Sequence, residues 1–347
     1  MPIFETDFGP YFLGEDALQG LDKWLEKVRD SYSSVVILTD ENVHNAVVPV
    51  ILSELEFLGE ASVVEVPPGE DSKSLEILGH LWLALLENRM DRHGLLISIG
   101  GGVITDLGGF LSATYMRGID HIAVPTTLLG MVDASIGGKT GINVGGYKNL
   151  AGNFAKSCGI YAWPAALESL PEDEWRCGWA ECIKHAFIKG GELWEAVQAM
   201  EELQAILSIL PQLVSVKCEV IGKDPFEESS VRMALNLGHT MGHALESASN
   251  GVLSHGDCVA AGLWIESIMA EELGLLDPKQ GKALRYLIDT WWTNRLPIPP
   301  KTISYLHGDK KNQHNRIRFI LPTGAGQPPI LTEVPMEIVQ KALEIYV

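Results

Sequence analysis

Glu181, His239, His243 and His255 are the residues in this sequence best suited to hold a metal ion. They lie in Ala180-Glu181-Cys182-Ile183-Lys184-His185, in Leu235-Asn236-Leu237-Gly238-His239-Thr240-Met241-Gly242-His243-Ala244-Leu245-Glu246, and in Ser254-His255-Gly256-Asp257. His239 and His243 are four apart, and Glu181 and Lys184 three apart, so each pair shares one face of a helix. A carboxylate with two imidazoles and an open coordination position is the ligand set of a catalytic zinc site. Any one of these histidines alone would pass as a satisfied helix residue. Four ionisable groups set into apolar, small-residue helices are costly to bury unpaired, which points to a shared purpose.

A second group of residues could bind anions. Ile99-Gly100-Gly101-Gly102-Val103-Ile104-Thr105-Asp106 follows a strand and opens a helix. Glycines there let backbone approach a pyrophosphate, and the helix start offers free N–H groups. Thr105 stands where a GxGxxG pattern needs its last glycine, and a plain tight turn explains the segment equally well. Asp40, ending an earlier strand, could bond an adenosine ribose or simply cap a helix. Residues 126–149 interleave small residues with Asp133, Lys139, Lys148 and Asn149, with Arg117 nearby, and read as a long glycine-rich loop. Gly137-Gly138-Lys139-Thr140 imitates half of a P-loop, but the upstream glycine spacing is missing, which excludes nucleotide hydrolysis. Solvated surface lysines are the alternative; the density of Gly, Thr, Asn and Lys favours a binding site. Lys184, Lys217, Arg232 and Asp309-Lys310-Lys311-Asn312 complete the basic candidates. In a chain of net charge −19, cations gathered in one cleft would define a site for a phosphorylated, carboxylated substrate.

The elements that must carry these groups follow from periodicity. The first half alternates helix-like and strand-like segments, with strands over 34–39, 61–66, 95–99 and 121–124 and helices over 16–29, on to about 57, and to about 89. Such alternation predicts a mostly parallel sheet covered by helices on both faces, with ligands beyond the carboxyl ends of the strands. Asp40, the triple glycine and Thr126-Thr127 fall at such ends. From about residue 165 the pattern is helical, over 172–190, 193–207, 210–223, 234–249, 256–273 and 278–291, with one late strand at 316–321 and a terminal helix at 335–346. The fold class is therefore an α/β Rossmann-like domain followed by an all-α domain, divided within Cys158–Pro171 into 1–165 and 166–347. The 347 residues are 46% hydrophobic and 20% charged, an ordinary globular balance. The acidic charge argues against nucleic acid and anionic membranes as partners. No stretch approaches ~18 uninterrupted apolar residues, and Met1-Pro2-Ile3-Phe4 lacks the basic start of a signal peptide. Five cysteines without CxxC spacing suggest reduced, cytosolic thiols.

The quoted segments, with Pro68-Gly69-Glu70-Asp71-Ser72-Lys73, Pro125-Thr126-Thr127-Leu128-Leu129, Val132 through Asn143, Lys148-Asn149 and Leu253-Ser254-His255-Gly256, resemble the 3-dehydroquinate synthase family of the sugar-phosphate cyclase superfamily. They run in family order over roughly residues 35–320. The resemblance implies a dehydroquinate synthase-like fold, with an NAD domain followed by a helical metal and substrate domain. It implies Glu181, His239 and His255 as ligands of zinc, with cobalt able to substitute, and His243 as a proton-handling neighbour. NAD would meet Asp40, Glu70, Lys73, Gly100, Gly101, Gly102, Asp106, Thr126, Thr127 and Lys148. Lys184, Asn236, His243 and Glu228 would form the catalytic set. The substrate would also meet Asp133, Lys139, Asn149, Lys217, Arg232 and one of Lys310 and Lys311, with Lys310 favoured. Arg117 would reach the phosphate, in this family often from the partner subunit of a homodimer.

One departure bears on these assignments. Asp224 lies eight residues before Arg232, one more than the family spacing, and Pro225 follows it; Glu228 keeps the usual spacing. Lys217 is assigned on the assumption of one inserted residue, since strict counting lands on Cys218. The implied reaction converts a seven-carbon sugar acid phosphate by transient NAD-mediated oxidation, phosphate loss, reduction, ring opening and aldol closure. Its rivals are another sugar-phosphate cyclase, a metal-dependent polyol dehydrogenase that consumes NAD, and a non-catalytic scaffold.

Overall fold

A computed structural model describes residues 2–59, 61–145, 147–249, 251–307 and 317–347. The chain divides into two compact units, Met1–Trp175 and Arg176–Val347. In the first unit the elements are β1 (Ile3–Phe4), β2 (Tyr11–Leu13), α1 (Ala17–Val28), β3 (Val35–Asp40), α2 (Glu41–Ala46), α3 (Val48–Glu54), β4 (Ser62–Val66), α4 (Leu75–Glu87), β5 (Leu95–Gly100), α5 (Gly102–Thr114), β6 (Asp120–Pro125), β7 (Lys139–Val144), β8 (Tyr147–Phe154) and β9 (Gly159–Ala162). Seven strands form one sheet in the order β1-β2-β9-β6-β5-β3-β4, parallel except for the β1–β2 pair.

The sheet's sequence is apolar on both faces because both faces are covered. Val36, Leu38 and Leu96 pack with Leu78, Leu81 and Leu85 of α4 and Ile104, Leu107 and Leu111 of α5. Their neighbours Val35, Ile37, Leu95 and Ile97 point the other way and are buried as well. β3 continues to β4 on one side, while β5 continues to β6 on the other. The order therefore reverses between β3 and β5, and the carboxyl ends there carry Asp40 and Gly100. Such a switch point leaves a crevice beyond the strand ends, the standard ligand position of open parallel sheets.

α5 lies close against β5: a Cβ on Gly108 would fall 1.8 Å from Ser98 Oγ. Ser98 Oγ is in turn 2.9 Å from Nε2 of the buried His121. Burial disfavours the imidazolium and pushes the His121 pKa from 6.5 down to about 4. The unfolded chain therefore binds this proton below about pH 6.5, and the folded chain only near pH 4. The contribution is complete above pH 6.5 and is lost as pH falls to about 4; a displacement of that size is worth about 3 kcal/mol. We expect denaturant midpoints of the wild type to fall over this window, and those of His121→Gln to fall less. Parallel pH profiles for the two proteins would show that another group dominates.

The structure departs from the sequence expectation in several places. Lys139–Val144 and Tyr147–Phe154 pair as the antiparallel strands β7 and β8, where the small-residue pattern predicts a glycine-rich loop. The short strands β1, β2 and β9 extend the sheet at one edge and carry too few residues to show a period. The helix expected up to residue 57 is two short helices, α2 and α3.

The second unit comprises α6, which begins just before it (Glu172–Lys189), α7 (Gly191–Gln198), α8 (Leu210–Lys223), α9 (Ser230–Met233), α10 (His239–Ala248), α11 (His255–Glu272), α12 (Pro278–Trp291), α13 (Thr302–His307), the antiparallel hairpin of β10 (Arg318–Leu321) and β11 (Ile330–Glu333), and α14 (Met336–Tyr346). The helix expected over 193–207 stops at Gln198, and that over 234–249 begins only at His239, after a single 3-10 turn at Ala234–Asn236. α11 runs through the core of this unit, with Val259 through Ala270 all buried. Among the described residues no helix is long and apolar enough to cross a membrane.

Candidate functional site

In the first unit the triple glycine joins β5 to α5. A Cβ on Gly101 would fall 2.9 Å from Thr127 Cγ2, and one on Gly102 3.0 Å from Ala134 Cβ, so larger residues would press on their neighbours. No side chain caps the start of α5, which leaves its N–H groups to an external anion. Thr126 N donates to Gly100 O at 3.0 Å, while its buried Oγ1 has no partner among the described residues. Thr127 Oγ1 accepts from Gly130 N at 3.0 Å. An uncapped helix start, a cradle of glycines and an unsatisfied buried hydroxyl fit a dinucleotide. Asp40 caps α2, its Oδ1 accepting from Asn42 N and Val43 N at 3.0 and 3.1 Å, so capping occupies one carboxylate oxygen.

Around this turn a polar network gathers five of the expected residues. Lys73, nearly fully buried, donates to Asp106 Oδ2 and Asn149 Oδ1, each at 2.6 Å. Glu70 Oε1 lies 3.8 Å from Lys73 Nζ and 3.9 Å from Lys148 Nζ. Asn143, which the sequence did not single out, ties the network together: its Nδ2 donates to Glu70 Oε1 at 2.9 Å and its Oδ1 accepts from Asn149 N at 2.8 Å. The sequence cues to Asn143 are its place in the small-residue run and at the end of the Val132–Asn143 segment that resembles the family. Asp133 sits half-buried in the turn Gly130–Ala134, and Lys139 is exposed at the start of β7. Arg117 is exposed and adopts a left-handed backbone, φ 70°, after Met116 at φ 49°.

In the second unit Glu181 of α6 is fully buried. Its Oε1 lies 3.3 Å from His239 Nε2 and 3.1 Å from His255 Nε2, and its Oε2 pairs with Lys184 Nζ. His239 Nδ1 is 3.0 Å from the Leu237 carbonyl. That bond places the proton on Nδ1 and leaves the Nε2 lone pair directed at the carboxylate side. One ligand atom from each of Glu181, His239 and His255 falls within 4.8 Å of the others, which suits a single divalent ion. His243 is exposed beside both rings, with centroid separations of 5.2 Å to His239 and 6.4 Å to His255. Gly256 permits this meeting of helices: a Cβ there would lie 2.4 Å from Cys177 Cα in α6.

The charges within the cluster are mutually adjusted. Burial alone would raise the Glu181 carboxyl, but Lys184, His239 and His255 outweigh it and hold it well below the usual carboxylate range. Burial, helped by the Lys184 charge, lowers His239. For His255 burial opposes the imidazolium, yet Glu181 and Glu246 outweigh it and raise the pKa.

Residues 224–232 fold around the buried Asp224, whose carboxylate accepts from Glu228 N at 2.9 Å, Ser229 N at 3.2 Å and Arg232 N at 3.0 Å. Glu227 in this turn adopts a left-handed backbone, φ 59°. Arg232 is buried, and its Nη1 donates to the Pro225 carbonyl. Asn236 Nδ2 donates to Glu227 Oε1 at 2.9 Å, whereas Glu228 is exposed. Nothing in the spacing marked Glu227 over its neighbour. Lys217 is buried on α8, and burial pushes the adjacent Cys218 thiol up to about 12. Lys310 and Lys311 lie outside the described residues.

The sheet of the first unit and the helical second unit with its buried carboxylate–imidazole cluster define a dehydroquinate synthase-like protein. Several solved structures share the fold. 2-Deoxy-scyllo-inosose synthase, complexed with carbaglucose-6-phosphate, NAD+ and Co2+, superposes with a TM-score of 0.88 at 22% identity, covering 100% of both chains. 2-epi-5-epi-Valiolone synthase from Streptomyces hygroscopicus, with NAD+ and Zn2+ bound, gives 0.81 at 25% identity over 92% of both. The family models for the N-terminal and C-terminal parts of 3-dehydroquinate synthase match residues 63–177 and 178–312. The 3-dehydroquinate synthase of Alkaliphilus oremlandii is 34% identical over 344 residues, covering 96% of this chain and 94% of that protein. The chain belongs to the 3-dehydroquinate synthase family.

Proposed function

We propose that the chain converts 3-deoxy-arabino-heptulosonate 7-phosphate to 3-dehydroquinate and phosphate, the second step of the shikimate pathway, as a carbon–oxygen lyase that retains NAD through each turnover. The observation that carries this reading is the buried Glu181 carboxylate, 3.3 and 3.1 Å from the imidazoles of His239 and His255, in a chain of this family. Glu181, His239 and His255 would hold zinc, or cobalt in its place, as a Lewis acid that makes a bound hydroxyl more acidic. The turn Gly100–Gly102, with Asp40, Glu70, Lys73, Asp106, Thr126, Thr127 and Lys148, would hold NAD, which accepts and returns a hydride.

The chain's own groups provide position and charge. Lys184, buried against Glu181, keeps a fixed positive charge where oxyanions develop. Asn236, its amide held by Glu227, orients substrate hydroxyls. The exposed imidazole of His243 exchanges protons with solvent beside the two ligand rings. Lys217 and Arg232 in the second unit, and Arg117, Asp133, Lys139 and Asn149 in the first, recognise the substrate's carboxylate, phosphate and hydroxyls. Glu228 and Lys310 stay in the proposal on the resemblance alone. The first unit mainly serves NAD and the second mainly metal and substrate, and the working form is a cytoplasmic homodimer.

The test is incubation of purified protein with the heptulosonate phosphate, catalytic NAD+ and zinc, followed by phosphate release and product identity. We expect many equivalents of phosphate and 3-dehydroquinate per NAD+ supplied. NADH accumulating in step with product would establish a polyol dehydrogenase instead. A different carbocycle would establish another sugar-phosphate cyclase.

A further inference from the structure

Two buried glutamates, Glu246 at 3% exposure and Glu266 at 0%, have no role in the reading above. They lie on α10 and α11, which pack through glycines. A Cβ on Gly262 would fall 1.9 Å from the Gly238 carbonyl oxygen, and one on Gly242 3.0 Å from the Cys258 carbonyl oxygen. Position 238 thus faces 262 and 242 faces 258, so the two helices run antiparallel. His239 is the first residue of α10, and His255 the first of α11.

Each helix start is met by a glutamate from the other helix. Glu266 of α11 accepts from Gly238 N at 2.7 Å through Oε2 and from Met241 N at 3.0 Å through Oε1. The first N–H groups of a helix have no partner within it, and the residue preceding α10 offers no side-chain cap. Glu266 supplies that cap, with its negative charge at the positive end of the helix dipole. The Gly238 N–H belongs to the same peptide unit as the Leu237 carbonyl that accepts from His239 Nδ1. A rigid peptide plane therefore links the Glu266 carboxylate to the His239 ring. At the opposite end, Glu246 Oε2 of α10 lies 3.7 Å from His255 Nδ1, the ring nitrogen turned away from Glu181.

We propose that Glu246 and Glu266 are positioning residues for the two metal-binding histidines: Glu266 through the Leu237–Gly238 peptide to His239, and Glu246 directly at His255 Nδ1. The inference rests on the metal assignment made under the proposed function. Partners on the second nitrogen of a ligand histidine fix its orientation, and losing one weakens metal binding by about 10- to 100-fold.

The experiment titrates intact, metal-free protein with Co2+, following its visible absorption, and measures Zn2+ affinity by chelator competition. Glu246→Gln and Glu266→Gln keep side-chain volume, but glutamine has one fewer acceptor oxygen. Each should bind Zn2+ about 10- to 100-fold more weakly and show an altered Co2+ spectrum, with far-ultraviolet circular dichroism unchanged. Glu272→Gln, on the same helix and paired with Lys341 at the surface, should match the wild type. Wild-type affinity and spectrum in both variants overturn the proposal. If Glu266→Gln does not fold, Glu246→Gln decides by the same two readings. Wild-type protein that takes up no Co2+, or takes it up regardless of Glu181→Gln, overturns the metal assignment and this proposal with it.

Discussion

Replacing Glu181 with glutamine should remove metal and turnover together. The Glu181 carboxylate is fully buried, with one oxygen against the His239 and His255 imidazoles and the other against Lys184. Glutamine keeps the shape but loses the charge that draws a divalent cation and balances the buried ammonium. Breaking a buried ion pair from one side costs about 3–5 kcal/mol, so the variant should also unfold at lower denaturant. Activity should fall at least about a hundredfold, the effect of losing one strong electrostatic stabiliser of the reacting centre. Zinc per chain, phosphate release and a denaturant curve read the three consequences separately. Stoichiometric zinc with near-normal turnover in Glu181→Gln would remove the carboxylate from the metal site.

The second large effect is expected at Arg232. Its backbone N–H is held by Asp224 and its guanidinium by the Pro225 carbonyl, so the side chain is fixed before any substrate arrives. Removing a charged partner from a desolvated anion costs roughly 2–5 kcal/mol, a drop of about thirtyfold to several thousandfold in kcat/KM. Arg232→Ala should show that drop with zinc content intact, and Lys139→Ala a loss of the same kind. Arg232→Lys keeps charge but loses the planar fork, and should recover only part of the activity. Lys23, exposed on α1, is the control and should tolerate alanine. If Arg232→Ala loses stability while its folded fraction turns over normally, Arg232 is an anchor of the Asp224 turn and not an anion receptor.

Much of the fold was written in local patterns. β3 and β5 are continuous β-branched and aliphatic runs, and such runs are buried on both faces of a parallel sheet. The hairpin β7–β8 escaped because its residues are small, polar and mostly exposed, with no alternation to mark a face. The apolar spacing predicts α10 from residue 234, but Ala234–Asn236 form a 3-10 turn, which carries the same spacing over so short a stretch. Asp40 shows a different limit: a strand-ending aspartate reads alike as cap or ribose ligand, and the structure shows that Oδ1 does the capping.

By itself the sequence determined which residue types stand together on each helix. Spacing of three and four fixes a shared face, so Glu181 with Lys184, and His239 with His243, were paired before any tertiary contact was known. Spacing does not say which imidazole turns inward, because both histidines lie on that face; the resemblance to the family alone assigns His239 to the metal. Tertiary packing decided it: α6, α10 and α11 approach closely where Gly256, Gly242 and Gly262 leave no room for a Cβ. That approach buries His239 against Glu181 and leaves His243 exposed. Leu237, two residues before His239, is a local partner of its ring, whereas Glu246 beside His255 and Glu266 on the Gly238 N–H come from antiparallel packing between helices, and neighbours of that kind have no fixed spacing along the chain.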